Sequence, residues 1–360
     1  MTTYINYYTL SPKFIDTKSK KAALFDLDGT IIKPIGTNKF SLTNSDWIFE
    51  NDQIIPFLKK LYNDGYDVII VSNQKKLKDP SLWKNKIEII ANKINIPLFA
   101  LASLSDDEFR KPRIGLWNNF LSKYDKDKSF YCGDAGGLPK RKLNGIMVNK
   151  DFADSDLKFA LNIGIKFYHR DEYFYNVSGI KLNPSYINFD NIKRGIYNDI
   201  NINGKTIVIN IGFPGSGKSY FSKNHIKSSS NNIVYINRDS IGNIKKCIKL
   251  CEKSMNDGLP IIIDNTNPSI ADRKQFIDIA KLYKYNIICI NFTTSKDLSM
   301  HNNVYRAIIN KTEIIPKIVY NMFTSKYVKP SKDEGFNEIH MIDFILNDKN
   351  CDNEYFKYYY

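Results

Sequence analysis

Two short stretches carry residues whose types and spacing can do chemistry. The first is Asp26-Leu27-Asp28-Gly29-Thr30, which closes the apolar run AALFDL at residues 22–27. Side chains alternate along a strand, so carboxylates at i and i+2 leave its end pointing the same way. One such carboxylate can attack a phosphate while the other gives a proton to the leaving oxygen, with Mg²⁺ neutralising the shared charge. The bland reading is a capped loop with solvated acids. Three further stations weigh against it. Ser72 and Asn73 close the next strand in VIIVSNQ, where a hydroxyl and backbone N–H groups can hold phosphate oxygens. Lys111 in FRKP supplies a point positive charge, and Asp134 in YCGDAGG ends another strand where a hard cation needs a further oxygen.

The second stretch is Gly212-Phe213-Pro214-Gly215-Ser216-Gly217-Lys218-Ser219, which fits G-x-x-x-x-G-K-[ST] between the strand-like TIVINI and the helical YFSKNHI. Gly212, Gly215, Ser216 and Gly217 let backbone N–H groups face the phosphates of ATP, Lys218 reaches the outer ones, and the Ser219 hydroxyl can coordinate Mg²⁺. A P-loop says nucleotide and leaves the reaction open. Asp239 in VYINRDS closes the next strand, where a carboxylate can deprotonate an acceptor hydroxyl for in-line attack on a γ-phosphate. Asp264 in IIIDNTNP stands at another strand end, and Arg273 follows on a helix or lid, where a guanidinium can hold charge on the transferring phosphoryl group. The bland alternatives are a helix-capping Asp239 and a solvent-exposed Arg273.

Elements that alternate strand and helix must position these residues. Ile54 to Tyr62 has helical periodicity, Tyr66 to Val71 reads as a buried strand, and Leu98 to Leu101 and Ser129 to Cys132 as two more, with a helix through Ile114 to Tyr124 between them. The periodicity fails from about Val177 to Gly204, then resumes with strands at Thr206 to Ile211, Ile233 to Ile236, Pro260 to Ile263 and Asn286 to Phe292. This predicts two α/β domains, each a doubly wound parallel sheet with functional loops at the carboxyl ends of its strands. The expected boundaries are 1–180 and 205–360, with a linker at 181–204.

Length and composition agree. The chain has 360 residues, room for about two domains, and 42% hydrophobic residues. No apolar run approaches the roughly 20 residues that span a bilayer, so no membrane partner is expected, and the polar, Tyr-rich Met1 to Ser11 does not read as a secretory signal. The five cysteines (Cys132, Cys247, Cys251, Cys289, Cys351) are few and odd in number, as in a reducing compartment. Cys247 and Cys251 lack Cys or His neighbours for a zinc site, which leaves helix packing. The net charge of +14 is mostly lysine, 44 of the 52 basic residues, a mixture that AT-rich codons produce. Its distribution says more: residues 201–250 hold 8 basic groups against the single acid Asp239. Binding that weakens with salt as for about three to five neutralised phosphates is expected.

The four stations of the first half, in this order, match the motifs of haloacid-dehalogenase (HAD) phosphohydrolases. NSDW (44–47), EFRKP (108–112), YCGDAGG (131–137) and KDFADSDLKFALNIG (150–164) closely resemble the phosphatase domain of eukaryotic-type polynucleotide kinase 3′-phosphatase. GFPGSGKS, INRD, CEKSMNDG, IDNTNP, HNN (301–303) and EGF (334–336) follow the kinase domain of the same family, in order. The resemblance spans about residues 20–340. It implies Asp26 as the phosphoaspartate-forming nucleophile, Asp28 as general acid/base, and Ser72 and Lys111 as phosphate binders. It implies a Mg²⁺ ion held by Asp26, Asp134 and the backbone carbonyl of Asp28, with Asp156 near the metal or capping a helix. In the kinase half it implies Asp239 as general base, Lys218 and Ser219 at ATP and Mg²⁺, and Arg273 on the phosphates. His301, Asn302 and Asn303 fall on the nucleotide side without assigned roles.

The implied function is end healing: removal of 3′-phosphates and ATP-dependent phosphorylation of 5′-hydroxyls, on DNA in the first instance. RNA with the same chemistry is the alternative, and a nucleotide-dependent binding module fused to a general phosphatase is a second. About 20 residues precede the DxDGT strand, so the family's usual amino-terminal forkhead-associated domain, and the scaffold partners it docks, are not expected. SIGN (240–243) stands where the phage enzyme has an acceptor-binding arginine, and Met300 where relatives have arginine. Both departures bear on affinity rather than reaction type. A monomer inside the cell is expected, in nucleus, cytoplasm or, for a viral source, a viral factory.

Overall fold

The computed structural model describes residues 3–9, 20–37, 41, 43–143, 145–184, 187–228, 232–347 and 353–358. Cys351 lies outside them. The chain forms two compact units, one of residues 1–186 with 357–360 and one of residues 187–356.

The first unit is built on a six-stranded sheet ordered Tyr4–Tyr8, Phe99–Ser103, Asp67–Asn73, Ala22–Phe25, Phe130–Gly133, Lys166–His169. All neighbours are parallel except Tyr4–Tyr8, which pairs antiparallel with Phe99–Ser103. The strand Ala22–Phe25 is central and buried on both faces. Ala23 and Phe25 face one core with Leu58, Trp83, Ile87 and Ile90, while Ala22 and Leu24 face another with Trp117, Phe159 and Ile163. A strand buried on both faces reads as the unbroken apolar run seen here. Full burial of Leu24 or Phe25 contributes about 1.5–3 kcal/mol. The expected helix through Ile114 to Tyr124 is mainly a short π-type turn, Trp117–Leu121. Tyr4–Tyr8 was not read as a strand, because its tyrosines and asparagine mask a strand that is only partly buried.

The second unit is a five-stranded, all-parallel sheet ordered Val234–Ile236, Ile261–Ile263, Thr206–Ile211, Asn286–Phe292, Glu338–Ile342. Thr206–Ile211 is again central: Ile207, Ile209 and Ile211 meet one core, and Val208 meets the other with Phe221 and Ile290. Cys247 and Cys251 lie on the helix Ile244–Asn256 in the first of these cores, unpaired and buried. The stretch expected as linker, 181–204, is divided by the structure. From Ile187 it belongs to the second unit, where Lys193–Arg194 pairs with Ile345–Leu346 and Ile200–Asn201 with Ile226–Lys227. Two-residue pairings of this kind leave too short a periodic signature to read from sequence.

Candidate active sites

In the first unit the central strand ends at Phe25, and Asp26 and Asp28 emerge from its carboxyl end. Lys111 Nζ donates to Asp26 Oδ1 at 2.7 Å, to Asp156 Oδ1 at 2.7 Å and to the Tyr131 hydroxyl at 2.6 Å. Asn73 fixes that lysine from behind, its side-chain amide donating to Lys111 O at 3.1 Å and accepting from Lys111 N at 2.9 Å. The Asn73 side chain therefore positions Lys111. Gln74 Nε2 donates to Asp28 Oδ2 at 2.7 Å and Ser72 Oγ at 2.9 Å, tying the second carboxylate to the serine. Asp134 ends the neighbouring strand and packs against the DxDGT turn. A Cβ on Gly29, whose φ is +83°, would stand 2.6 Å from Asp134 Oδ2, so only glycine fits there.

Four carboxylates thus surround one lysine. Burial pushes Asp26 well above the usual carboxylate range, with the charges of Asp156 and Asp134 adding and Lys111 opposing. Burial and Asp156 raise Asp134 to about 7. Burial also raises Asp28, against the Gln74 hydrogen bond that lowers it. Lys111 is held above its ordinary value because Asp156 and Asp26 outweigh the burial that opposes its charge. Among the described residues, Asp26, Asp134 and Asp156 bring ligand oxygens within 4.8 Å of one another. A hard, all-oxygen donor set with surplus negative charge fits a divalent cation such as Mg²⁺. Asp156 lies in the first turn of the helix Ser155–Ile163, whose N-cap is Asp154; its carboxylate turns to Lys111 and to Ala135 N at 3.1 Å. The carboxylate is thus engaged with Lys111 and the Asp134 loop, and the N-cap position belongs to Asp154.

In the second unit the central strand runs into Gly212–Gly217, and the helix Lys218–His225 follows. Lys218 Nζ donates to Gly212 O at 3.0 Å and Phe213 O at 2.6 Å, resting on its own loop. Burial lowers its pKa to about 8, against the nearby charge of Asp264. Ser219 Oγ donates to Asp264 Oδ2 at 2.6 Å. Asp264 also accepts from the Tyr235 hydroxyl, from Asn237 Nδ2 at 3.2 Å and from Asn210 Nδ2 at 3.1 Å. Ser216 Oγ is fully buried beneath the loop and without a hydrogen-bond partner among the described residues. Gly215 lies under the helix Lys296–Asn310; a Cβ there would stand 2.4 Å from Ser299 O. Asp239 is exposed, and the helix start beside it is capped by Asn237, whose Oδ1 accepts from Asp239 N at 2.8 Å. The cap reading of Asp239 is therefore taken by its neighbour.

Residues 21–174 match the family described as "Polynucleotide kinase 3 phosphatase", and residues 207–329 match "AAA domain". A "Bifunctional polynucleotide phosphatase/kinase" of Schizosaccharomyces pombe is 35% identical over 340 residues, covering 91% of this chain and 80% of its own. The chain belongs to the bifunctional polynucleotide phosphatase/kinase family. A "Putative bifunctional polynucleotide phosphatase/kinase" of Acanthamoeba polyphaga mimivirus is 32% identical over 381 residues, 94% of this chain and 88% of its own. A "Polynucleotide 3'-phosphatase ZDP" of Arabidopsis thaliana is 30% identical over 184 residues, 43% of this chain and 24% of its own.

In this phosphatase/kinase Arg273 is turned into the protein. Arg273 is 0% exposed on the helix Ile270–Leu282. Its Nε and Nη2 donate to Glu334 Oε2 and Oε1, each at 2.7 Å, and Nη1 donates to Asn267 O at 3.2 Å and Pro268 O at 3.0 Å. A guanidinium so engaged is a buried pin for the chain after Asp264, not the solvent-exposed side chain of the bland reading. The HNN segment supports the P-loop. Asn302 Nδ2 donates to Gly215 O at 3.0 Å, Asn303 holds Ile315 through both its amide groups, and His301 Nε2 lies 2.8 Å from Tyr355 O. Met300 is buried. Gln74, Tyr131, Asn210 and Tyr235 were not singled out from sequence. Gln74 adjoins Ser72 in VIIVSNQ and Tyr131 precedes Gly133-Asp134, so closeness to a motif was the available signal.

Proposed function

We propose that this chain heals broken nucleic-acid strands, DNA in the first instance, by removing 3′-phosphates in its first unit and phosphorylating 5′-hydroxyls in its second. The observation that carries the reading is that one chain holds two phosphoryl-transfer sites of opposite sense. One has a buried carboxylate nucleophile against Lys111; the other is a P-loop whose Ser219 meets Asp264.

In the first unit an Asp26 oxygen attacks the phosphorus of the terminal monoester while Asp28 delivers its proton to the departing 3′-oxygen. Its raised pKa favours the protonated form that this step needs. Gln74 holds Oδ2 of Asp28, leaving the other oxygen to carry the proton. Lys111 and Ser72 hold the phosphoryl oxygens. Asp28 then takes a proton from water, which cleaves the phosphoaspartate and frees Asp26 and phosphate. A Mg²⁺ ion held by Asp26, Asp134 and the Asp28 carbonyl would neutralise the charge between nucleophile and phosphate. In the second unit Asp239 takes the proton of the 5′-hydroxyl, whose oxygen attacks the γ-phosphorus of ATP as ADP leaves. Lys218 exchanges two neutral carbonyls for phosphate oxygens, and backbone N–H groups of Gly212–Gly217 face the same phosphates. Ser219 would hold the Mg²⁺ that accompanies ATP.

We place the enzyme inside the cell, in nucleus or cytoplasm, as a monomer; no helix among the described residues is long and apolar enough to cross a membrane. Steady-state turnover of matched DNA and RNA oligonucleotides with 3′-phosphate or 5′-hydroxyl ends tests the substrate. The reading expects higher kcat/KM on DNA ends for both activities. Preference for RNA by either unit would hand the function to RNA healing, and turnover of neither would leave a general phosphatase beside a nucleotide-binding module.

A further inference from the structure

We propose that the ribbon formed by Arg141–Leu143 and Ile146–Val148 is the seat for the nucleotides next to the 3′-phosphate. Its side chains lie against the bases and its lysines against the connecting phosphates. The inference rests on the polynucleotide reading above and adds where the strand is gripped.

The ribbon is tied at its base to the loop that carries Asp134. Asp151 Oδ2 accepts from Gly136 N at 3.2 Å and Leu138 N at 2.9 Å, and its Oδ1 accepts from Arg141 Nη1 at 2.8 Å. Arg141 also reaches Asp171, with Nε donating to Oδ2 at 2.7 Å and Nη2 at 2.6 Å from it. His169 Nε2 stands 3.2 Å from both Asp134 O and Asp151 Oδ2. These pairs are mostly buried, so the ribbon's foot is held in one geometry beside the reacting phosphate. Its far end is the opposite. Ile146 is 71% exposed and Met147, the next residue, 52%. Consecutive strand residues point to opposite faces, so Ile146 and Met147 offer apolar surface on both sides near the turn, while Leu143, opposite Ile146, is buried and roots that face in the unit.

The charge of the segment selects the occupant. From Ala135 to Lys150 there is no acidic residue; Arg141 is taken up by Asp151 and Asp171, and the three lysines (Lys140, Lys142, Lys150) are exposed. Exposed Ile and Met side chains are the kind that proteins press against base faces, and lysines beside them neutralise phosphates. A narrow, basic, apolar-tipped ribbon rooted in the phosphatase loop fits a nucleic-acid strand better than it fits another protein surface, which would need a broader apolar face.

The test compares wild type with Ile146→Glu/Met147→Glu, a change confined to exposed positions. Each is given a 3′-phosphorylated ten-nucleotide strand, a mononucleoside 3′-phosphate, and p-nitrophenyl phosphate, with kinase activity as a control for folding. Wild type should show a KM that falls from mononucleotide to oligonucleotide. The variant should raise the oligonucleotide KM about tenfold or more, as expected for losing contact with one or two bases, with kcat and p-nitrophenyl phosphate turnover unchanged. An unchanged oligonucleotide KM overturns the ribbon's role while leaving the polynucleotide reading standing. A wild type that treats all three substrates alike overturns both. A wild-type dimer in sedimentation that the variant dissolves would make the ribbon a contact between copies instead.

Discussion

At the phosphatase site the lysine is already committed to charge, with Lys111 Nζ 2.7 Å from Asp26 and from Asp156, whereas Lys218 at the P-loop rests on two main-chain carbonyls. The carboxylates hold Lys111 above its ordinary pKa, while burial pushes Lys218 down to about 8. Carboxylates compensate a buried ammonium; carbonyl dipoles do so only partly. The first site is therefore assembled before substrate arrives, with Lys111 part of the fold. The second is completed by its nucleotide, whose phosphates supply the anion that Lys218 lacks.

The sharpest way to break this contrast is to remove each lysine. Lys111→Met should abolish phosphatase activity and, by stranding buried carboxylates, destabilise the first unit by about 3–5 kcal/mol. Lys218→Met should abolish phosphoryl transfer while changing stability by no more than about 1 kcal/mol. Denaturant unfolding of both variants checks this; equal losses would mean that Lys218 too is structural. Arg273→Leu extends the comparison within the second unit. It should cost about 3–5 kcal/mol, because Glu334 is left buried and unpaired. A variant that folds as well as wild type but transfers no phosphate would make Arg273 a catalytic residue instead.

Gln74→Leu is milder. Losing the donor that orients Asp28 and Ser72 should lower phosphatase kcat by about ten- to a hundredfold, leave kinase turnover alone, and leave folding nearly intact. The smallest effect is a pH dependence. Asp134, raised from 3.8 to about 7, keeps a proton in the folded state between those values that it has lost when unfolded. Stability of the cation-free unit therefore falls as pH rises through about 7. A divalent cation replaces that proton, so Mg²⁺ should raise the unfolding temperature by a few degrees more at pH 8 than at pH 6. Equal shifts would take Asp134 out of the metal set.

The parts of each site that lie where a strand meets its loop were legible in the sequence, because a short apolar run and the polar residue ending it are neighbours in the chain. Asp26, Asp28, Ser72, Asp134 and the P-loop are of this kind. What the sequence could not show depends on partners far along the chain. Arg273 reads as a free guanidinium until Glu334, 61 positions on, is folded against it. Asp156 reads equally as a cap until Lys111 reaches it across 45 positions. Asp264 gains its meaning only from Ser219 across the sheet. The missed strands Tyr4–Tyr8 and Glu338–Ile342 have half-exposed edges whose polar residues break the alternation that marks a strand.

The central claim is that one chain carries two separable sites acting on the two sides of a break. A nicked duplex with 3′-phosphate and 5′-hydroxyl ends, offered with ATP to wild type, Asp26→Asn and Lys218→Ala and resolved on a denaturing gel, tests it directly. Wild type should convert both ends, Asp26→Asn only the 5′ end, and Lys218→Ala only the 3′ end. Survival of both activities in both variants, or loss of both from either single change, would contradict the account.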